Sequence, residues 1–248
     1  MKIGIITAIP EETGALLKQI GSFEQRIYGN LAAHYRDFCN NSIVLCEAGM
    51  CFGNATIAAE MIMREVRPDM LISSGFCGGI IDGLCVGDVV VAIDVAIVNN
   101  ALIEKVPVEI PAICCDFVTQ QTAWGKRVFR GQFVSSPVIR SKAEIAAMLP
   151  KGVPCPVVEM ESGAIALIAA KHGIPFVGMR SVTDPVGEEL AFSLDELCDD
   201  HMRIRIPRVL STIIRRPHII PQLIRLANNC RRAGASLARC VEQFLKFV

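Results

Sequence analysis

Along the first half of the chain, apolar residues fall into short unbroken runs, each followed by a turn and then by a stretch with helical spacing. Residues 2–7 (Lys-Ile-Gly-Ile-Ile-Thr) form a β-type run, and beyond Ala8-Ile9-Pro10 the residues Leu16, Leu17 and Ile20 share one helical face over 11–20. The plan repeats with a strand over 42–47, the turn Gly49-Met50-Cys51-Phe52-Gly53 and a helix over 54–66. Further strands are predicted at 70–74, ending in the turn Gly75-Phe76-Cys77-Gly78-Gly79, and at 88–93. Residues 99–130 lack a clear period and read as a long loop with the lone Trp124 near its end. Beyond it come a strand over 132–135 and a helix over 141–149, with Ser141 as cap and Glu144 three residues on. A short buried strand at 157–158, an Ala/Ile-rich helix over 163–172 and a strand over 174–180 follow. Strands alternating with helices predict a mainly parallel sheet covered on both faces.

The tail has a different pattern. Residues 203–216 and 219–248 are helical by period, separated by Pro217 and Pro221, with Leu223, Ala227, Leu237, Val241 and Phe244 as an apolar stripe. Residues 201–248 hold nine Arg and one Lys against the single acid Glu242, a net +9 that the other 200 residues balance at −9. The asymmetry has two explanations: arginines that face water or pair with the acidic body, or a site for an anionic partner or membrane surface.

At 248 residues and 52% hydrophobic composition the chain can bury a sizeable core, which excludes wholesale disorder. The expectation is a single domain over 1–248 with a basic helical C-terminal extension from about residue 201. No apolar run reaches the roughly 18 residues that span a bilayer, and the N-terminus lacks a signal-peptide cleavage region, so a soluble cytoplasmic protein is expected. Eleven cysteines are scattered through apolar segments such as those holding Cys46, Cys77, Cys85 and Cys230, without a Cys-x-x-Cys pair and with only four histidines. No metal site is expected; most thiols read as buried small hydrophobes, and the vicinal Cys114-Cys115 is the redox candidate.

Acids cluster at three strand ends: Glu11-Glu12, the pair Glu159/Glu161 in Val157-Val158-Glu159-Met160-Glu161-Ser162-Gly163, and Asp184 in Arg180-Ser181-Val182-Thr183-Asp184-Pro185. Each alone is explained by a helix macrodipole that favours acids at its N-terminus. Together they fit convergence in the crevice outside the carboxyl ends of a parallel sheet. Pro185 forces Asp184 out of helix. Apolar neighbours Val182 and Val186 would raise its pKa and Arg180 would lower it, so the net direction stays open. The Gly75–Gly79 segment is not Gly-x-Gly-x-x-Gly, and no dinucleotide fold is supported.

Five motifs in this order, spanning residues 1 to about 200, resemble the nucleoside phosphorylase and nucleosidase superfamily, in its methylthioadenosine/S-adenosylhomocysteine nucleosidase branch. They are the opening Met1-to-Glu12 segment, Ala48-Gly49-Met50, Ser74-to-Gly79, Val158-Glu159-Met160-Glu161 and Arg180-to-Asp184. The resemblance implies a three-layer αβα sandwich with a mainly parallel, mixed central sheet, a homodimer, and cleavage of a purine N-glycosidic bond with no cofactor. Carried over by motif, Glu12 activates water and Asp184 protonates the leaving purine, with Thr183 positioning it. Glu161 binds the ribose over Met160, while Glu159 supports the base side or marks a helix start. Met50, Phe76, Gly78, Val158, Ile139 and Leu194 complete the implied substrate pocket.

Departures from the pattern bear on substrate. Related phosphorylases carry an arginine where Ser73 stands and a serine where Phe76 stands, which favours water over phosphate as nucleophile. Val138 or Ile139, and Leu194, replace aromatic residues of the purine pocket and lid. The long basic tail, with Ser135-Ser136-Pro137-Val138-Ile139-Arg140 and Thr183-Asp184-Pro185, resembles a hopanoid-associated branch that removes adenine from an adenosylated polycyclic lipid, and its helices suit peripheral contact with an anionic membrane. A phosphorylase and a catalytically silent nucleoside-binding module remain the rivals; nucleic acid is not an expected partner.

Overall fold

The structure, a computed structural model, describes residues 1–28, 31–100, 102–187, 211–212 and 215–248. Ten strands form one mixed sheet: β1 Lys2–Thr7, β2 Glu24–Tyr28, β3 Leu31–Phe38, β4 Asn41–Glu47, β5 Met70–Gly79, β6 Val89–Asn99, β7 Leu102–Lys105, β8 Val128–Ser135, β9 Val157–Glu159 and β10 Phe176–Asp184. The helices are α1 Pro10–Ile20, α2 Phe52–Glu65, α3 Ile113–Ala123, α4 Lys142–Met148, α5 Ser162–His172 and α6 Ile220–Phe247. Helices α2 and α5 cover one face around Val44, Ile62, Leu71, Phe133 and Phe176. Helices α1, α3 and α6 cover the other around Ile5, Leu16, Val91, Phe117 and Phe244. This is the expected helix, sheet, helix layering, with strands buried on both faces and therefore nearly continuous in apolar character.

Local chemistry sets the ends of these elements. Pro10 opens α1, where its missing N–H costs nothing, and Glu11 and Glu12 lie in the positive first turn. Ser141 caps α4, its hydroxyl accepting the Glu144 N–H at 3.2 Å while the Glu144 carboxylate accepts the Ser141 N–H at 3.1 Å. Helix α5 ends on Gly173 in the left-handed region at φ 63°.

Two sequence expectations need correction, and two further features went unread. The Gly75-to-Gly79 turn is the end of strand β5, because β10 runs parallel beside it and supplies ladder partners as far as Gly78. The sheet is not open throughout: β10 pairs with both β5 and β6, and β9 with both β5 and β8, so β5, β10, β6, β8 and β9 close on themselves. The 99–130 segment contains β7 and α3, whose Cys114, Phe117, Val118 and Gln121 are buried at helical spacing. Strands β2 and β3 form an antiparallel ribbon on the far edge, missed because β2 is mostly exposed and polar.

The cysteines divide. Cys46, Cys77, Cys114 and Cys240 are buried, whereas Cys39 and Cys85 are exposed. Burial pushes the Cys114 thiol up to about 12, which disfavours its thiolate. The stretch 203–216 lies almost wholly outside the described residues. Pro221 sits harmlessly in the first turn of α6, whose Ala233, Leu237, Val241 and Phe244 are buried against α1 and the sheet. No described helix is long and apolar enough to cross a membrane.

Candidate active site

Strands β4, β1, β5 and β10 are mutually parallel, so their carboxyl ends open on one edge. The segments leaving β4 and β1 carry Met50 and Glu12, the ends of β5 and β10 themselves carry Phe76 and Asp184, and β9 arrives antiparallel to β5 at Gly78 and Gly79 bringing Glu159, Met160 and Glu161. Together they line a cavity of about 910 Å³. The rest of its wall is largely hydrocarbon from α1, through Ala15, and from α6, through Leu223, Leu226, Ala227, Cys230 and Gly234.

Arg180 is the electrostatic centre. It is 1% exposed in the middle of β10, and its Nη2 donates to Glu159 Oε2 at 2.6 Å and Ser73 Oγ at 3.1 Å, with Glu161 Oε2 at 3.5 Å. The sequence placed Arg180 as a neighbour of Asp184; it serves the glutamates instead, because Arg180 and Asp184 are an even number of positions apart but a bulge at Val182/Asp184 breaks the register between them. The cation beside Asp184 is Lys142, the first residue of α4, whose Nζ lies 2.8 Å from Oδ2 and also donates to the Asp184 and Pro185 carbonyls. Asp184 Oδ1 accepts the Thr183 hydroxyl at 2.7 Å.

One arginine among three buried glutamates cannot support three equal carboxylates, and their surroundings separate them. Burial opposes charge on Glu159, but Arg180, the Ser135 hydroxyl and the Ser162 N–H outweigh it and hold the group below its ordinary value. Glu159 also accepts the Glu161 N–H at 3.0 Å, so it does cap the start of α5 and pairs with Arg180 at the same time. Burial pushes Glu161 up to about 7, with Glu159 and Glu12 adding to the rise against Arg180 and the Cys51 N–H. Glu12 is raised by burial too, although the N–H groups of Ala8, Ile9 and Phe76 hold its carboxylate at 2.8, 3.3 and 2.8 Å. Carboxyls pushed apart in this way are suited to different tasks at one pH.

Backbone approach explains the glycines. A Cβ on Gly75 would collide with the Arg180 guanidinium and stand 2.7 Å from Glu12 Oε1. Gly75→Ala is therefore expected to cost about 1–3 kcal/mol of stability, the usual range for overpacking a filled site, and to lower kcat/KM together with it. Urea unfolding checks this, and an unchanged midpoint would show that Arg180 and Glu12 have room to move apart. Gly78 is constrained in the same way by Asp184 Oδ2 at 2.9 Å and Lys142 Cε at 3.0 Å.

Two residues expected in the pocket are not part of its wall. Val158 packs behind Gly78 toward Ile145 of α4, since successive side chains on β9 face opposite ways. Ile139 is 44% exposed on the segment before α4. Leu194 lies outside the described residues. Phe76 contributes its N–H to Glu12, while its ring lies on the α6 side, where a Cβ on Gly234 would be 3.6 Å from Cζ. Sequence reasoning missed Arg180, Lys142 and Ser135 as parts of the site, and missed Asn229, whose amide donates to the Thr183 carbonyl at 2.9 Å and ties α6 to the strand end that bears Asp184. Arg180 had a signal, being the one charge within an otherwise buried run.

Residues 2–215 match the family model of the phosphorylase superfamily. A 5′-methylthioadenosine/S-adenosylhomocysteine nucleosidase of Listeria innocua is 28% identical over 239 residues, covering 86% of this chain and 100% of the relative. Among solved structures, the nucleosidase of the same name from Neisseria meningitidis, in complex with methylthio-immucillin-A, superposes with a TM-score of 0.75 at 24% identity, covering 100% of this chain and 99% of that one. Futalosine hydrolase of Helicobacter pylori gives 0.76 at 16% identity over 100% of this chain and 98% of its own. These two likenesses are of fold, and the matched model spans all ten described strands and every acid of the cavity: the chain belongs to the phosphorylase superfamily.

Proposed function

We propose that this chain is a purine nucleosidase that hydrolyses the N-glycosidic bond of a 5′-modified adenosine and releases adenine. The observation that carries this reading is the placement of Glu12, Glu161 and Asp184, in three unlike surroundings, around one cavity in a chain whose named relatives are nucleosidases. Lys142 and the Thr183 hydroxyl both donate to Asp184, so the proton that Asp184 passes to N7 as the C1′–N9 bond breaks is drawn from the Lys142 ammonium, and the bonding pair leaves on a neutral purine. Glu161 sets negative charge against the sugar as it gains oxocarbenium character, with Met160 beside it on the cavity wall. Glu12 takes a proton from water as the water oxygen bonds to C1′. The products are adenine and a free 5′-substituted ribose.

Water rather than phosphate is supported by Ser73, which is fully buried with its hydroxyl engaged by Arg180 and Ser162, in the place where phosphorylases carry an arginine. A phosphorylase would need phosphate and yield ribose 1-phosphate. A silent binding module would release no base from any adenosine derivative.

The roles carry a pH dependence. Glu161 must be ionised to stabilise the cation, so the acid limb of kcat/KM is expected to rise with pH up to about 7. The sign for stability is opposite: between 4.5 and about 7 the folded protein keeps a proton that the unfolded chain has released, so this group's contribution falls as pH rises through that window. Glu161→Gln should flatten the acid limb of the rate profile; a limb that persists unchanged assigns it to another group.

A second reading concerns the 5′ substituent. The cavity is near the upper end of the ~300–1,000 Å³ range of small-molecule pockets, and α1 and α6 give it an apolar wall, which supports a bulky apolar group such as the polycyclic lipid of an adenosylated hopanoid. Exposed Ile220 and Ile224 beside Arg225 on α6 support the accompanying peripheral membrane contact. Exposed Ile57 on α2 and Leu167 on α5, two helices packed together, support a homodimer. Comparing base release from adenosine, methylthioadenosine, S-adenosylhomocysteine and a lipid-linked adenosine tests the substituent. A strong preference for the lipid-linked substrate favours the second reading, and equal or better turnover of methylthioadenosine counts against it.

A further inference from the structure

A second cleft, of about 530 Å³, lies between the outer edge of α6 and the junction of α3 with β8, and it contains none of the carboxylates of the nucleoside cavity. Its charged lining is Lys126, Arg127, Arg232 and Arg239 against the single carboxylate Asp88. Asp88 is already neutralised, since Arg127 Nε and Nη2 grip its two oxygens at 2.5 and 2.6 Å. Lys126, Arg232 and Arg239 make no ion pair with any described residue, although Lys246 on the same helix pairs with Glu242 and residues 1–200 carry a net −9. Arg232 and Arg239 are seven residues apart, two turns and ~10 Å along one edge of the helix, and the Ser236 hydroxyl stands between them. On the floor, Gln121 is 1% exposed and its Oε1 has no hydrogen-bond partner.

Like charges gathered in a concave site repel one another unless an anion is held there. Guanidinium forks match the oxygens of a phosphate, and a buried amide oxygen without a donor suits a hydroxyl on the same ligand. We propose that this cleft is a binding site for a phosphate monoester that also carries a hydroxyl group, held by Arg232, Arg239 and Lys126 with Gln121 on the hydroxyl. The site is separate from the nucleoside cavity but shares α6 with it, Ala235 lining both.

Isothermal titration of the full-length protein with inorganic phosphate and with glycerol 3-phosphate, and sedimentation with vesicles containing lysophosphatidic acid, which keeps one glycerol hydroxyl, test the proposal and separate a soluble ligand from a lipid headgroup. The comparison proteins are Arg232→Gln/Arg239→Gln, expected to keep wild-type base release, and Glu161→Gln, which alters the other cavity. Saturable binding of glycerol 3-phosphate, tighter than that of phosphate, weakened about a hundredfold in the double arginine variant and unaffected by Glu161→Gln, supports a soluble phosphate ester. Vesicle binding with the same arginine dependence and no binding of soluble ligands supports a lipid phosphate in the same cleft. No binding in any arm, or binding that the double arginine variant leaves unchanged or that Glu161→Gln abolishes, overturns it.

Discussion

Replacing Asp184 by asparagine is expected to lower kcat for base release on the order of 10²- to 10⁴-fold, the usual worth of a positioned general acid. Asparagine keeps the size but has one acceptor oxygen where the carboxylate uses two, Oδ1 for the Thr183 hydroxyl and Oδ2 for the Lys142 ammonium. One of these contacts is therefore lost, while the bonds from Lys142 to the main-chain carbonyls of residues 184 and 185 still hold the strand end. What it loses is the proton for N7, without which the purine departs as an anion. Binding of a transition-state-like adenosine analogue should survive in part, and calorimetry on the variant checks this. A variant that turns over at the wild-type rate would take the general-acid role from Asp184.

Removing the positive charge of Arg180 is expected to have the largest effect on stability. Glu159 is 1% exposed in its side chain and relies on this arginine, and breaking a buried pair from one side typically costs about 3–5 kcal/mol. Arg180→Met leaves Glu159 with donors from Ser135, Glu161 and Ser162 but no counter-charge, and it leaves the Ser73 hydroxyl without its arginine. Urea unfolding should show the loss, and Glu159→Gln/Arg180→Met should cost less than the sum of the single changes because the two residues share one interaction. Additive effects would mean that the pair is not the unit described above.

Much of the fold was legible where local pattern and tertiary role agree. Strand β1 and helices α1, α2 and α4 were read within a few residues because an apolar run, a turn and a cap each leave a local mark. The pattern failed where a neighbour far along the chain decides the outcome. Gly75 to Gly79 looks like a turn in isolation and is a strand because β10 lies beside it. Strand β2 has little apolar character because it borders the exposed edge, although Gly29-Asn30 between it and β3 is a two-residue pair of the hairpin type. Helix α3 carries its period on Cys114 and Gln121, residues that a hydrophobic count undervalues.

The candidate site divides along the same line. Glu12, Glu159, Glu161, Thr183 and Asp184 sit at strand ends, where parallel topology brings side chains together, and the structure gathers them on one cavity. Their separation into unlike acids was not legible, because it depends on Arg180 pairing across strands and on Lys142 arriving from α4. The wall from α6 was also hidden: its stripe announced a helix packed on something, not that Asn229 anchors it to Thr183 and that Cys230 and Gly234 face the cavity.

The most direct test of the central claim is base release from methylthioadenosine in phosphate-free buffer, followed by chromatography of the products. The account predicts free adenine and methylthioribose at a rate that added phosphate does not raise and that Asp184→Asn removes. No adenine from this or any other 5′-substituted adenosine, or adenine only when phosphate is supplied and with ribose 1-phosphate as co-product, would contradict it.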